Sequence, residues 1–424
     1  MKEEIFEKEY QFLSIFEIGG NNMDERKKII DFIEERGDIY KEIAIDIHKH
    51  PEVSNYEFFA CKRLSEQLIK EGFTVKTDVA GHRTGFTAVF QSNKPGPVFV
   101  FLAEYDALEG LGHGCGHNLF GATSLLAASA LKQVLEKTGG EVRVYGTPGE
   151  EGGENGSAKG SFVREGFFND VDAALCVHPG ANEHKLTGKS LGCAPVDIEF
   201  WGRAAHAAGA PEKGINALDA IIQVYNSINA LRQHLSRDVR IHGIITKGGD
   251  APNIVPEYAK AKFYFRAATA PELEEVYQKV ERIVEGAALA TGAKGRLQPY
   301  QNRVENTIPT PSFDEVYEKN LNLFGEVITP RKQNEPMGST DVGNVSQVIP
   351  VIQPSIAITD VPVAGHSEEM KAAACSEKGL ASIQLGAKVL SFTALDLLEN
   401  KELLEKIKKE HKEYLNEQLT SISS

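Results

Sequence analysis

The sequence predicts an α/β protein in which a mostly parallel-sheet, three-layer domain is interrupted by a small ferredoxin-like α+β domain of βαββαβ order. Three observations predict it. Short apolar runs alternate with helical segments in the early and late parts of the chain, as in a parallel sheet covered on both faces. Between them lies a stretch whose order reads β-α-β-β-α-β, the split-βαβ pattern. The chain has 424 residues, more than one ordinary core organises, so two domains are the default. The expected division is 1–192 plus 304–424 for the larger, discontinuous domain and 193–303 for the inserted one.

The elements follow in order. Residues 24–48 read as an amphipathic helix, with Ile33, Tyr40, Ile43 and Ile47 at helical spacing. PVFVFLAEYD, from 97, is an apolar strand leading through a Gly-rich loop to a helix at 118–137. VRVYGTPGEE is a second strand ending in a turn, DAALCVHPG (172–180) a third and PVIQPSIAI (350–358) a fourth, with a long helix from about 376. In the insert, PVDIEFWG (195–202) alternates like a half-exposed strand. A helix at 215–236, strands at 240–249 and 257–268, a charged helix at 270–291 and a last strand at 295–301 complete it. The last ~25 residues read as a charged helical tail. Residues 1–22 mix acidic and apolar residues and lack a cleavage-site pattern, so they read as an extension rather than a signal peptide.

Composition narrows the function classes. Lys plus Arg is 46 and Asp plus Glu is 60, a formal charge of −14, which disfavours nucleic acid or an anionic membrane as partner. No window approaches the ~20 apolar residues of a membrane span. The cysteines, Cys61, Cys115, Cys176, Cys193 and Cys375, are odd in number and sparse. That argues against a disulfide framework and for a reducing, cytoplasmic setting.

Polar clusters follow each predicted parallel strand, where open α/β sheets gather their ligands. Glu104 and Asp106 close the first strand, and His113, Cys115 and His117 sit in the loop GHGCGHN after it. Glu150 and Glu151 follow the second strand, His178 ends the third and His366 lies after the fourth. A lone histidine or a Glu-Glu pair says little, but convergence of separate segments on one rim says more. Thiolate, imidazole and carboxylate are the usual ligands of zinc. Two metals can share the set if a carboxylate, a thiolate or a water bridges them. One of the paired glutamates can bind metal while its neighbour moves a proton, and Asp106 would stand behind the ligands, orienting an imidazole. A cysteine-nucleophile reading leaves Glu150, Glu151, His178 and His366 idle.

These residues also carry a resemblance. EYDAL (104–108), GHGCGHN (112–118), TPGEEGG (147–153), VHP (177–179), GRAAHAA (202–208), GGDAPNIVP (248–256), GSTDVGNVS (338–346) and GHS (365–367) occur in order. Together they resemble the aminoacylase and carboxypeptidase G-like metallopeptidase superfamily in its amidohydrolase branch. The match runs over about 25–395. The resemblance implies metal ligands at Cys115, His117, Glu151, His178 and His366, holding two divalent ions per subunit, Zn²⁺ with Mn²⁺ as the alternative. It implies a general base at Glu150, an oxyanion-stabilising His206, and Asn253 and Arg266 on a substrate carboxylate. It also implies a homodimer or higher homo-oligomer joined through the insert. Two positions depart from the common pattern: Asn118 stands where many members have Asp, and Gly149 where Ala is usual. Both variants resemble the subgroup of p-aminobenzoyl-glutamate hydrolases and β-alanyl-dipeptidase-like proteins. The activity so implied is hydrolysis of the amide bond of an N-acyl or N-aroyl amino acid bearing a free carboxylate. A dipeptidase or carboxypeptidase using the same site is the alternative, and a non-catalytic amino-acid-binding sensor a third reading.

Overall fold

The structure, a computed structural model, describes residues 23–153, 155–332, 335 and 337–420; the reading of residues 1–22 as an extension lies outside them. The chain divides into two compact units. Of the described residues, the larger holds those within 23–189, 308–335 and 345–415, and the smaller those within 190–307, 337–344 and 416–420.

The larger unit opens with helices α1 (Met23–Lys49) and α2 (Phe58–Lys70), then strands β1 (Thr74–Val79), β2 (His82–Gln91) and β3 (Val98–Ala103). Helix α3 (His117–Thr138), β4 (Glu141–Gly146), α4 (Ala158–Arg164), β5 (Ala173–Leu175) and β6 (His178–Gly180) follow. The smaller unit carries β7 (Gly192–Trp201), α5 (Ala217–Leu231), β8 (Arg240–Lys247), β9 (Tyr258–Ala267), α6 (Ala270–Thr291) and β10 (Lys294–Pro299). The chain then returns through α7 (Pro311–Asn322), β11 (Val351–Ile352), β12 (Ser355–Ala357), α8 (Glu377–Glu399) and α9 (Lys401–Thr420).

The main sheet has the order β1-β2-β4-β3-β5-β11. Strands β4, β3, β5 and β11 run parallel, and β1 and β2 extend the sheet antiparallel. Strand β3 is buried from Phe99 to Ala103, as a central strand covered on both faces must be. Helices α1, α3 and α8 pack against one another. Helix α3 is buried from His117 to Leu131 without a break, so its sequence lacks a strong polar stripe. Helix α8 comes closer to a membrane span than the sequence reading allowed: it is long and apolar enough by length and composition, but 67% of that window is buried within the protein. Ile383, Ala387, Leu390 and Leu395 on it belong to the main core.

Two expected strands differ in detail. The segments at 172–180 and 350–358 each break in two, because Pro354 has no N–H to continue the ladder. After the break β6 and β12 form a separate two-stranded parallel sheet, so His178 opens a strand instead of ending one. In the smaller unit the sheet order is β10-β7-β9-β8, all antiparallel, with α5 and α6 packed on it. Along β9 burial alternates strictly, and Ala259, Ala261, Phe263, Phe265 and Ala267 enter the small core. The fold class read from the sequence is the one observed.

His82 on β2 is buried, with Nδ1 2.6 Å from Asn55 Oδ1 and Nε2 2.9 Å from Ser161 Oγ. A neutral ring satisfies both, donating to the amide oxygen and accepting from the hydroxyl. Burial, and secondarily the charge of Arg164, lower its pKa from 6.5 to about 4. Between those values the unfolded chain binds the extra proton, so His82 contributes stability that is present at higher pH and lost as pH falls through this window. Thermal unfolding followed by circular dichroism from pH 7 to 4 should show a smaller drop in midpoint for His82→Gln than for the wild type.

Candidate metal centre

The rim is built from the carboxyl ends of parallel strands. From β3 the chain passes Glu104 and Asp106, then turns through the Gly-rich loop into α3. Gly116, the residue before α3, has φ +81°, and a Cβ there would lie 2.8 Å from Pro179 Cβ. Only glycine therefore lets Cys115 and His117 come this close to the strand bearing His178. After β12 the chain reaches His366, a non-glycine residue at φ 56° whose N–H donates to Gly114 O at 3.1 Å. A strained backbone residue tied directly to the cysteine loop is the kind found at functional sites.

Three groups of donors converge. Cys115, His117 and His178 form one, Cys115, Glu151 and His366 a second, and Glu104, His117 and Glu150 a third, the donor atoms in each lying within 4.8 Å of one another. Cys115 belongs to the first two. Its sulfur is 3.4 Å from His178 Nε2, and His366 Nε2 is 3.4 Å from Glu151 Oε1. All five expected ligands thus fall in two groups sharing the sulfur, and Glu150 stands beside them in the third.

Asp106 braces the cluster. Its Oδ1 is 2.9 Å from His117 Nδ1, while its Oδ2 accepts from Ser54 Oγ and from the backbone N–H of Glu151, each at 2.9 Å. Bonding at Nδ1 fixes the ring and leaves Nε2 facing the cluster. Burial pushes Asp106 up, but His117 outweighs it and holds the carboxyl down at about 2. Burial likewise raises the Cys115 thiol, yet His117 and His178 bring it well below the ordinary thiol range. The hydrogen bond to Cys115, then that to Glu151, raises His366 to about 10.

The donor set fits divalent metal. His117 Nε2 and Glu151 Oε1 are buried and meet only long ion-pair partners, Glu104 Oε2 at 3.3 Å and His366 Nε2 at 3.4 Å, a poorly satisfied state that a cation between the donors would relieve. Burial lowers the His117 and His178 rings, but Cys115 outweighs it and raises both above the ordinary imidazole range, as Cys115 and Glu151 do for His366. Metal binding releases ring protons and takes over their charge.

The sequence places Glu104 on the rim without a role and gives no sign of its partner, Lys159. Lys159 Nζ is 2.8 Å from Glu104 Oε1, and Glu104 Oε2 is 3.3 Å from His117 Nε2; both side chains are fully buried. Lys159 lies 55 residues from Glu104 and no motif spacing joins them. The two departures from the common pattern have local causes. Asn118 Nδ2 donates to Ala44 O at 3.2 Å and Ala374 O at 2.9 Å, bonds a carboxylate cannot make. Gly149 has φ +74°, and a Cβ there would lie 2.6 Å from Asn55 Nδ2 and 2.7 Å from Gly156 O.

The remaining expected residues lie in the smaller unit. His206 Nδ1 accepts from the N–H groups of Ala208 and Gly209 at 3.2 and 3.0 Å, which leaves the proton on Nε2. His206 is bridged to Ile254, next to Asn253, and both His206 and Asn253 are exposed. Arg266 Nη1 donates to Ser339 Oγ at 2.7 Å.

This arrangement, a parallel-sheet unit with a shared-thiolate donor cluster and a separate four-stranded α+β unit, defines a class of metal-dependent hydrolases. Comparison with known proteins makes the class specific. Residues 190–291 match the M20 peptidase dimerisation domain. Xaa-Arg dipeptidase of Mus musculus is 38% identical over 326 residues, covering 75% of this chain and 74% of that protein. One subunit of the p-aminobenzoyl-glutamate hydrolase of Escherichia coli (strain K12) is 37% identical over 329 residues, covering 73% of this chain and 66% of that protein. Among solved structures, a dinuclear metal-binding M20 peptidase of Bacillus subtilis has the same fold, with a TM-score of 0.59 at 20% identity over 86% of this chain and 99% of that one. The chain belongs to the M20 peptidase family, and it is an enzyme that hydrolyses linear amides.

Two substitutions test the centre. Cys115→Ser removes the shared donor and should lower bound metal, measured by inductively coupled plasma mass spectrometry, from about two per chain to one or fewer. Gly116→Ala combines a left-handed backbone with a clash at Pro179; it should cost roughly 1–3 kcal/mol of stability and also lower metal content.

Proposed function

We propose that this protein is a dinuclear metallo-amidohydrolase that cleaves the amide bond of N-acyl or N-aroyl amino acids bearing a free carboxylate. The observation that carries the reading is the sharing of Cys115 between two donor groups with a further carboxylate, Glu150, beside them. Cys115, His117 and His178 would hold one ion, and Cys115, Glu151 and His366 the other; zinc suits the donor set, with manganese the alternative. Bound there, the ions supply Lewis acidity, making water nucleophilic at neutral pH and polarising the scissile carbonyl.

The remaining work belongs to the chain. Glu150 takes the proton from the attacking water and passes it to the departing amine. Asp106 holds His117 in the tautomer that turns Nε2 to the cluster. The family resemblance assigns the substrate-facing roles to three residues of the smaller domain. His206 carries its proton on Nε2 and can donate to a developing oxyanion. Arg266 and Asn253 recognise the carboxylate of the amino-acid portion, a task suited to a planar guanidinium. The dimerisation-domain match supports a homodimer formed through the smaller domain, and the sparse, odd-numbered cysteines, none paired with another, support a cytoplasmic setting.

The relatives keep a second substrate class in play, since one named set acts on Xaa-Arg dipeptides and another on p-aminobenzoyl-glutamate. Turnover of p-aminobenzoyl-glutamate and other N-aroyl amino acids, assayed beside Xaa-Arg dipeptides, separates them; faster hydrolysis of the dipeptides would replace the first reading with the second. Chelation should abolish activity toward either, and Zn²⁺ or Mn²⁺ should restore it. Glu150→Gln should retain its metal yet lose about 10²–10⁴-fold in kcat. A Glu150→Gln enzyme working at the wild-type rate would remove Glu150 from the mechanism.

A further inference from the structure

Glu57, at the start of α2, is a fully buried carboxyl that the mechanism above does not use. Its Oε1 accepts from the backbone N–H of Gly149 at 3.0 Å and of Asn55 at 2.7 Å; its Oε2 accepts from Thr84 Oγ1 at 2.7 Å. Burial, and then the nearby charge of Asp106, raise its pKa to about 8. Three hydrogen bonds thus tie its two oxygens to one loop, one strand and the turn carrying the paired glutamates.

The turn is held from both sides. Glu57 takes the N–H of Gly149, and Asp106 takes the N–H of Glu151. Glu150 lies between these two anchored amides. Asn55, fixed by the same carboxyl, also crosses to Gly156 O on the far side of the turn at 3.0 Å, and its Nδ2 fills the space a Cβ on Gly149 would need. A carboxylate that must stand within reach of a reacting proton gains little from a flexible turn, and displacement by about 1 Å costs on the order of 10²-fold in rate.

We propose that Glu57 is a positioning residue for the reaction: by binding the Gly149 amide it fixes the turn that aims Glu150. This rests on the reading of Glu150 as the base. Glu57 acts through the reach of its acceptor oxygen. Glutamine keeps an acceptor at the same distance, and its amide can donate to the Thr84 hydroxyl, which accepts as readily as it donates. Aspartate keeps the carboxyl and loses one methylene of reach.

The test compares full-length, metal-loaded Glu57→Gln, Glu57→Asp, Glu150→Gln and the double variant Glu57→Asp/Glu150→Gln. The readouts are kcat, KM, metal per chain and thermal midpoint. Glu57→Asp should lose about 30–100-fold in kcat with KM and metal content near wild type, and Glu57→Gln should recover most of that loss. The double variant should be no slower than Glu150→Gln alone, because Glu57 acts through Glu150. Equal kcat for Glu57→Asp and wild type, a Glu57→Gln enzyme as slow as Glu57→Asp, multiplied losses in the double variant, or loss of metal from Glu57→Asp would each overturn the proposal. Should Glu57→Asp not fold, Glu57→Met, which keeps the length and loses the acceptor, takes its place: a slow, metallated Glu57→Met beside a fast Glu57→Gln supports the proposal, and wild-type kcat for Glu57→Met or a slow, fully metallated Glu57→Gln overturns it. Wild-type turnover by Glu150→Gln would sink the base assignment and this proposal with it, an outcome distinct from a slow Glu150→Gln beside a fast Glu57→Asp.

Discussion

The rim is organised around the sulfur of Cys115, the atom common to two donor groups. Its position depends on backbone geometry upstream and downstream of it. The left-handed Gly116 brings the loop against Pro179, and the left-handed His366 ties its own loop back to Gly114. A bulkier residue at Gly116 would push apart the segments that supply Cys115, His117 and His178. The parallel order of β4, β3, β5 and β11 brings those segments to one edge, since parallel strands end on the same side. The separate β6–β12 pair then carries His178 past the end of the sheet.

Around the donors lies a shell of buried polar groups with unequal duties. Asp106 bonds the His117 ring and a backbone amide at once, so any shift of the paired-glutamate turn is felt by His117. Glu57 bonds the same turn two residues earlier. Lys159 places an ammonium group against Glu104 where neither side chain meets solvent. A buried lysine is tolerated only with a close partner, and removing Lys159 would take the 2.8 Å ion pair from Glu104 beside His117. Local chemistry also explains why this chain departs from the common pattern at Asn118 and Gly149. Asn118 donates two hydrogen bonds to carbonyls, and Gly149 has no room for a methyl group.

The legible parts of the sequence were those where one physical rule acts alone. Strand β3 is a plain apolar run because both of its faces are covered, and α1 and the strand–helix order of the insert follow their periodicities. Strands β1 and β2 went unread. β1 is an antiparallel edge strand with no buried residue, so TVKTDV carries no alternation to detect. The division of two strands at Pro354 was visible as a residue but not as a break, because its effect depends on the neighbouring ladder. Among site residues, those carried by glycine-rich or paired motifs stood out. Glu57 and Lys159 did not: a single charged residue has no signature, and only the fold brings these two to the rim.

The proposed function turns on whether the Cys115 thiolate serves two metals. Anomalous diffraction from crystals of the Zn²⁺- or Mn²⁺-loaded enzyme, collected at the metal's absorption edge, addresses it directly. The account predicts two peaks per chain, both bonded to Cys115 Sγ, at about 2.3 Å for zinc, one facing His117 and His178 and the other facing Glu151 and His366. A single peak, or two peaks with the sulfur bound to neither, would contradict it.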